Sequence, residues 1–151
     1  MVSSHVQCQT RQVSRELNGE NMSHRRLKFW GWGHEDQTLS ESQSCEVAAR
    51  ISDLTGITPH GYTAPPTPDE ISLATPRLTA PQTLAGICSI SAYDRAAHTY
   101  GKSYPDYIRA YARDYSNAPD IVAFPESEDD IVALLDWADG AGAAVIPFGC
   151  G

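Results

Sequence analysis

The strongest constraint on this chain is a strand, helix, strand pattern within residues 118–151 that runs into a glycine loop. Ile121, Val122, Ala123 and Phe124 make an apolar run of strand length between Pro119-Asp120 and Pro125. Turn residues on both sides predict a strand there. Ser127 with Asp130 three positions on reads as a capping box, and Glu128, Asp129 and Asp130 put negative charge at the positive end of a helix. Ile131, Leu134, Leu135 and Ala138 recur at helical spacing and predict a buried face, and Gly140 and Gly142 predict its end. Ala143, Ala144, Val145 and Ile146 read as a second buried strand. Pro147, Phe148, Gly149, Cys150 and Gly151 follow, where a fold of this kind presents backbone N–H groups to a phosphate.

Charge and cysteine usage narrow the function classes. The formal net charge is -8, and Arg11, Arg15, Arg25, Arg26 and Lys28 stand near the amino terminus, so the remainder is strongly acidic. Such a surface repels nucleic-acid phosphates, whereas the basic start leaves peripheral contact with anionic lipid open. Cys8, Cys45, Cys88 and Cys150 form no C-x-x-C pair, and the histidines have no metal-ligand spacing. No metal site is expected, and reduced thiols point to a cytoplasmic protein. There is neither a long apolar stretch nor a signal-type start, so no membrane span or leader is expected.

Residues 1–27 are polar and without periodicity, and are expected to be a disordered or non-native extension, with Met22 a candidate start. Lys28, Phe29, Trp30, Gly31, Trp32 and Gly33 form an aromatic and glycine cluster that reads as a packed edge. Ser40 and Gln43 cap a helix with Val47, Ala48, Ile51 and Leu54 on one face, ended by Gly56. Six prolines between positions 58 and 81 exclude regular helix and central strand, leaving a linker or wrapping arm. Leu84, Ile87 and Ile90 resume an apolar pattern too short to assign. Ser103 and Asp106 cap a further helix whose Tyr104, Ile108, Tyr111 and Tyr115 share a face, read as core and rim. His98 has no carboxylate or nucleophile at an orienting spacing, and reads as a hydrogen-bonded structural residue.

Three separated segments resemble one family, the FAD-dependent alkylglycerone-phosphate (alkyldihydroxyacetonephosphate) synthases and their bacterial FAD-binding oxidase relatives. Lys28-Phe29-Trp30-Gly31-Trp32-Gly33 looks like the family's Lys-Trp-x-Gly-Trp-Gly opening, and His98-Thr99-Tyr100-Gly101-Lys102-Ser103-Tyr104 is similar to its His-x-x-Gly-(Lys/His) turn. The stretch from Ala118-Pro119-Asp120 through Phe124-Pro125 to Val145-Ile146-Pro147-Phe148-Gly149 resembles the start of the vanillyl-alcohol-oxidase (PCMH-type) FAD domain. There Pro-Asp-x-Val-x-x-Pro leads by a helix to Ile-Pro-x-Gly-Gly-Gly-Thr-Ser. The resemblance covers residues 28–151 and implies an α+β fold: a helical arm over 28–117, then the first β-α-β unit of the FAD domain over 118–151, truncated at the phosphate-binding loop.

Carried over by position, the resemblance implies that Pro147, Phe148, Gly149, Cys150 and Gly151 begin the loop holding the FAD pyrophosphate. Cys150 stands at the family's middle glycine, where a side chain costs about 1 kcal/mol at positive φ. The resemblance also implies that the groups used for chemistry lie downstream, so that no catalytic residue is assigned here and the chain is expected to be an inactive amino-terminal fragment. Acyl dihydroxyacetone phosphate and a fatty alcohol would be the parent enzyme's substrates, giving an ether-lipid precursor. A 2-hydroxy-acid oxidase fragment and a non-catalytic interaction module are the alternatives.

Overall fold

Capping chemistry starts the helices where their sequence signals stand. In the computed structural model, which describes residues 4–8 and 26–149, Ser40 accepts the Gln43 N–H at 3.2 Å and the Gln43 side chain accepts the Ser40 N–H at 2.9 Å. Helix α1 (Glu41–Thr55) follows and stops at Gly56, whose φ of 72° closes the last turn. A short helix α2 (Ala92–Ala97) begins at Ser91, which accepts the Asp94 N–H, and α3 (Tyr104–Tyr111) begins at Ser103 with Pro105 in its first turn. Helix α4 (Glu128–Gly140) starts at Ser127, with Asp130 completing the box.

The end of α4 shows why Gly142 is needed. The Ala143 N–H reaches back to the Ala138 carbonyl at 2.8 Å and the Gly142 N–H to the Asp139 carbonyl at 3.0 Å, a geometry that requires Gly142 at φ 64°. Helix α3 ends in the same bond pattern with Arg113 at φ 60° in place of a glycine. Arg113 offsets this strain by anchoring the proline-rich arm, donating to the Glu70 carboxylate at 3.0 Å and the Ala64 carbonyl at 3.3 Å. The helix therefore closes at Tyr111, four residues short of Tyr115, which the turn carries into the core separately. The expected tyrosine face is corrected accordingly: Tyr104 and Ile108 are exposed, and Ala110 and Tyr115 are buried.

The sheet has four strands in the order β2-β3-β1-β4, where β1 is His5–Cys8, β2 Cys88–Ser89, β3 Ile121–Ala123 and β4 Ala144–Pro147. β1 runs parallel to both β3 and β4, with Val6 opposite Ile121 on one side and Val145 on the other, and β2 pairs antiparallel with β3. The expectation of a disordered extension fails at His5–Cys8, which is a central strand. Pairing on both sides satisfies its N–H and C=O groups, and Val6 is fully buried. Met22, Cys150 and Gly151 lie outside the described residues.

Two apolar clusters share the interior. Val6, Ile121, Ala123 and Leu134 pack between the sheet and α4, joined by Leu84 and Trp137. Each fully buried aliphatic side chain of this kind contributes about 1.5–3 kcal/mol. Phe29, Tyr93, Ala96, Ala110 and Tyr115 form the second cluster, in the helical arm. Val122 alternates to the other face of β3 yet is also fully buried, because α2 lies against that strand.

Two apolar expectations are corrected. β4 was expected to be buried, but it is the outer strand, and Ala144, Ile146 and Pro147 are exposed because nothing among the described residues pairs with its far edge. On α4 it is Leu134 and Ala138 that are buried, while Ile131 and Leu135 remain exposed. In α1 no residue is buried at all, and Val47, Ile51 and Leu54 face outward.

Candidate functional site

The parallel strands β3 and β4 end at the same edge of the sheet, with β1 between them. In open α/β sheets this carboxyl edge is where ligands bind. Pro147 is the last residue of β4, and Phe148 and Gly149 continue from it; of the five loop residues nominated from sequence, these three are described. A Cβ added at Gly149 would meet nothing within 4 Å, so this backbone faces open space and a ligand oxygen could approach it closely.

The start of α4 also follows β3, and its capping box takes up three of the N–H groups there. Asp130 accepts the Glu126 N–H at 2.9 Å and the Ser127 N–H at 3.0 Å, and Ser127 accepts the Asp130 N–H at 3.1 Å. The backbone N–H of Glu126, with the Ser127 side chain, holds the Asp130 carboxyl below its usual range. With Glu128 and Asp129 beside it, this helix start repels an anion.

The loop rests on His98. This histidine ends α2 and is buried, and its Nδ1–H donates to the Asp94 carbonyl at 2.6 Å, since a carbonyl can only accept. Its ring centroid lies 4.6 Å from that of Phe148 and 5.8 Å from that of Phe124. Burial pushes the imidazole below its ordinary value, and Lys102 adds to this, against the opposing effect of Asp94.

Asp120 ties the sheet to the arm. Its carboxylate accepts the Arg77 N–H at 2.8 Å, Arg77 Nη2 at 2.7 Å and the His5 N–H at 3.2 Å. Burial pushes this carboxyl up, but the bonds from Arg77 and His5 outweigh it and hold it below the ordinary carboxylate value. Arg95 donates to the carbonyls of Pro119 at 2.6 Å and Ala74 at 2.7 Å. Neither arginine was nominated from sequence: Arg77 sits in the proline-rich stretch and Arg95 in a six-residue helix, so no periodicity marks either.

The segments that carry the resemblance meet in space. Lys102 Nζ donates to the Phe29 carbonyl at 2.8 Å, and Trp32 Nε1 donates to the Lys102 carbonyl at 3.0 Å. The Trp32 N–H donates to the Tyr107 hydroxyl at 2.6 Å, and a Cβ on Gly31 would lie 2.9 Å from that tyrosine ring, so only glycine lets the two segments approach. The aromatic cluster is thus an interlocked support, as a packed edge requires. Among the described residues, no group of three His, Cys, Asp or Glu side chains could hold a metal ion.

No protein-family profile matches the chain. Its sequence is 37% identical over 57 residues to the alkyldihydroxyacetonephosphate synthase of Dictyostelium discoideum, covering 38% of this chain and 9% of that protein. It is 36% identical over 62 residues to the Trypanosoma brucei brucei alkyldihydroxyacetonephosphate synthase, covering 41% of this chain and 10% of that protein. The fold is similar to alkyldihydroxyacetonephosphate synthase solved in two crystal forms, with TM-scores of 0.62 and 0.63 at 22% and 23% identity. Each superposition covers 82% of this chain but only 27% or 28% of the solved chain. In sequence over about sixty residues, and in fold over most of its length, this chain is similar to the alkyldihydroxyacetonephosphate synthases.

Proposed function

We propose that this chain forms the first wall of an FAD site in an alkylglycerone-phosphate synthase-like enzyme of ether-lipid precursor synthesis. The observation that carries this reading is the loop after β4. It leaves the carboxyl edge of the sheet with Gly149 open to approach, while the acidic start of α4 beside it excludes an anion. Backbone N–H groups of Phe148 and Gly149, continued by Cys150 and Gly151 after Pro147, would hold the pyrophosphate, with no side-chain charge required. Bound FAD would take part in exchanging the acyl group of acyl dihydroxyacetone phosphate for a fatty alcohol. This chain's own contribution is to bind and orient the dinucleotide.

The loop stands at an exposed sheet edge. A single wall supplies few hydrogen bonds against the cost of immobilising a dinucleotide, so the chain alone should bind FAD weakly or not at all and lack activity. Titrating FAD into the purified chain should give a dissociation constant on the order of 1 mM or weaker, and stoichiometric flavin absorbance in the purified protein would overturn the one-wall reading. Reading the coding DNA beyond the Gly151 codon tests the enzyme reading itself. An open frame resuming with Thr-Ser and several hundred residues supports it, and a stop in every frame removes it.

An interaction module is the second reading, favoured by the outward apolar face of α1 and the unpaired edge of β4. Strictly monomeric sedimentation at high concentration would count against self-association through either surface. The 2-hydroxy-acid oxidase alternative shares the same loop and would differ in residues outside this chain. Among the described residues no helix is long and apolar enough to cross a membrane. A cytoplasmic location is part of the proposal.

A further inference from the structure

The ring of His98 reaches two places that the sequence separates widely. Phe124 is the first residue after β3 and Phe148 the first after β4, and His98 packs on both, at 5.8 and 4.6 Å between ring centroids. β1 lies between those strands, so no ladder bond joins β3 to β4 directly. The imidazole bridges their carboxyl ends from outside the sheet. Its own orientation is fixed by the bond from Nδ1 to the Asp94 carbonyl, and α2, which carries it, is held to the sheet by Arg95 on the Pro119 carbonyl. The ring is therefore a rigid stop against which Phe148 rests. Gly149, next in the chain, has no side chain of its own to hold it in place.

We propose that His98 is a positioning residue: packed at a tilt against Phe148, its ring sets where the Gly149 backbone stands above the sheet. The consequence for ligand affinity rests on the FAD reading above, in which the Gly149 N–H is one of the pyrophosphate donors. The ring surface of His98 against Phe148 is the active feature. A neutral imidazole suits this role, because a charged ring would have to be desolvated against two phenylalanines.

The test uses the 151-residue chain labelled for amide and aromatic NMR, with FAD as the titrant. His98→Phe keeps a ring on Phe148 without the Asp94 bond, and His98→Asn offers a donor to Asp94 without a ring. Phe148→Leu removes the contact from the loop side and leaves the buried end of α2 untouched, so it reports even if His98→Asn does not fold. The expected result is that His98→Phe leaves the Gly149 amide resonance close to wild type. His98→Asn and Phe148→Leu should both move it, while the Ala123 amide in β3 stays in place. FAD affinity should fall about tenfold in the latter two, the equivalent of one lost hydrogen bond to a charged oxygen. If Gly149 is unmoved in Phe148→Leu, or moves as far in His98→Phe as in His98→Asn, the proposal fails. If no chain responds to FAD, wild type included, while Gly149 still follows the ring, the positioning role stands and its consequence for FAD affinity in this chain falls.

Discussion

Burial decides the chemistry of several side chains that look ordinary in the sequence. Desolvation pushes the Lys102 ammonium down to about 8, against an opposing pull from Asp106. An unfolded lysine titrates near 10.4, so between those values the unfolded chain holds a proton that the folded chain has lost, and stability rises with pH by at most about 1.4 kcal/mol per unit. Burial pushes the Tyr93 and Tyr115 phenols up, so above pH about 10 the unfolded chain loses protons that the folded one keeps, and stability falls. Urea unfolding from pH 7 to 11 should therefore show a maximum near pH 9 to 10, and Lys102→Met should flatten its rising side. Tyr115 offers a separate check, because its hydroxyl is buried without a hydrogen-bond partner among the described residues. Tyr115→Phe should be neutral or stabilise by up to about 1 kcal/mol in the same assay, and a loss of that size would mean that the hydroxyl has a partner.

At the scale of elements, local chemistry was legible and pairing was not. The Ser40 and Ser127 caps, and the ends at Gly56 and Gly142, follow from rules that span four or five residues. Gly142→Ala should cost about 1 kcal/mol by thermal unfolding, because Ala143 can reach Ala138 only through a left-handed residue. His5–Cys8 escaped notice because four residues with a single aliphatic carry no periodic signal; its burial comes from two neighbours more than a hundred residues away. Val6→Ala should cost about 2 kcal/mol, a loss that a frayed tail would not show. Val145 and Ile146 read as a buried strand since apolar residues look alike at the centre and edge of a sheet. For α1 the helix was legible and its exposure was not, since an apolar stripe says that a face can be covered and not what covers it.

The whole molecule is a sheet clasped to a helical arm by polar ties. Arg77 and Arg95 join the arm to the Pro119-Asp120 corner, and His98 joins it to the loop. The candidate site shared this division. Pro147, Phe148 and Gly149 were legible through a strand running into glycine, whereas His98, fifty positions away from Phe148, became part of the site only through the fold. Asp120→Ala should loosen arm and sheet together, costing about 1–2 kcal/mol through the lost bonds from Arg77 and the His5 N–H. Limited proteolysis would read this as faster cleavage in both parts, and cleavage confined to the arm would show that the tie does not couple them.

The placement of β1 also dictates a timetable. His5–Cys8 leaves the ribosome more than a hundred residues ahead of its two neighbours, Ile121–Ala123 and Ala144–Pro147. Until they emerge the strand must wait without these partners, as an exposed β-segment of the kind that chaperones hold and aggregates recruit. Nascent chains arrested before β4 emerges should leave Val6 open to protease, and protection should arrive in one step once the sheet can close around it.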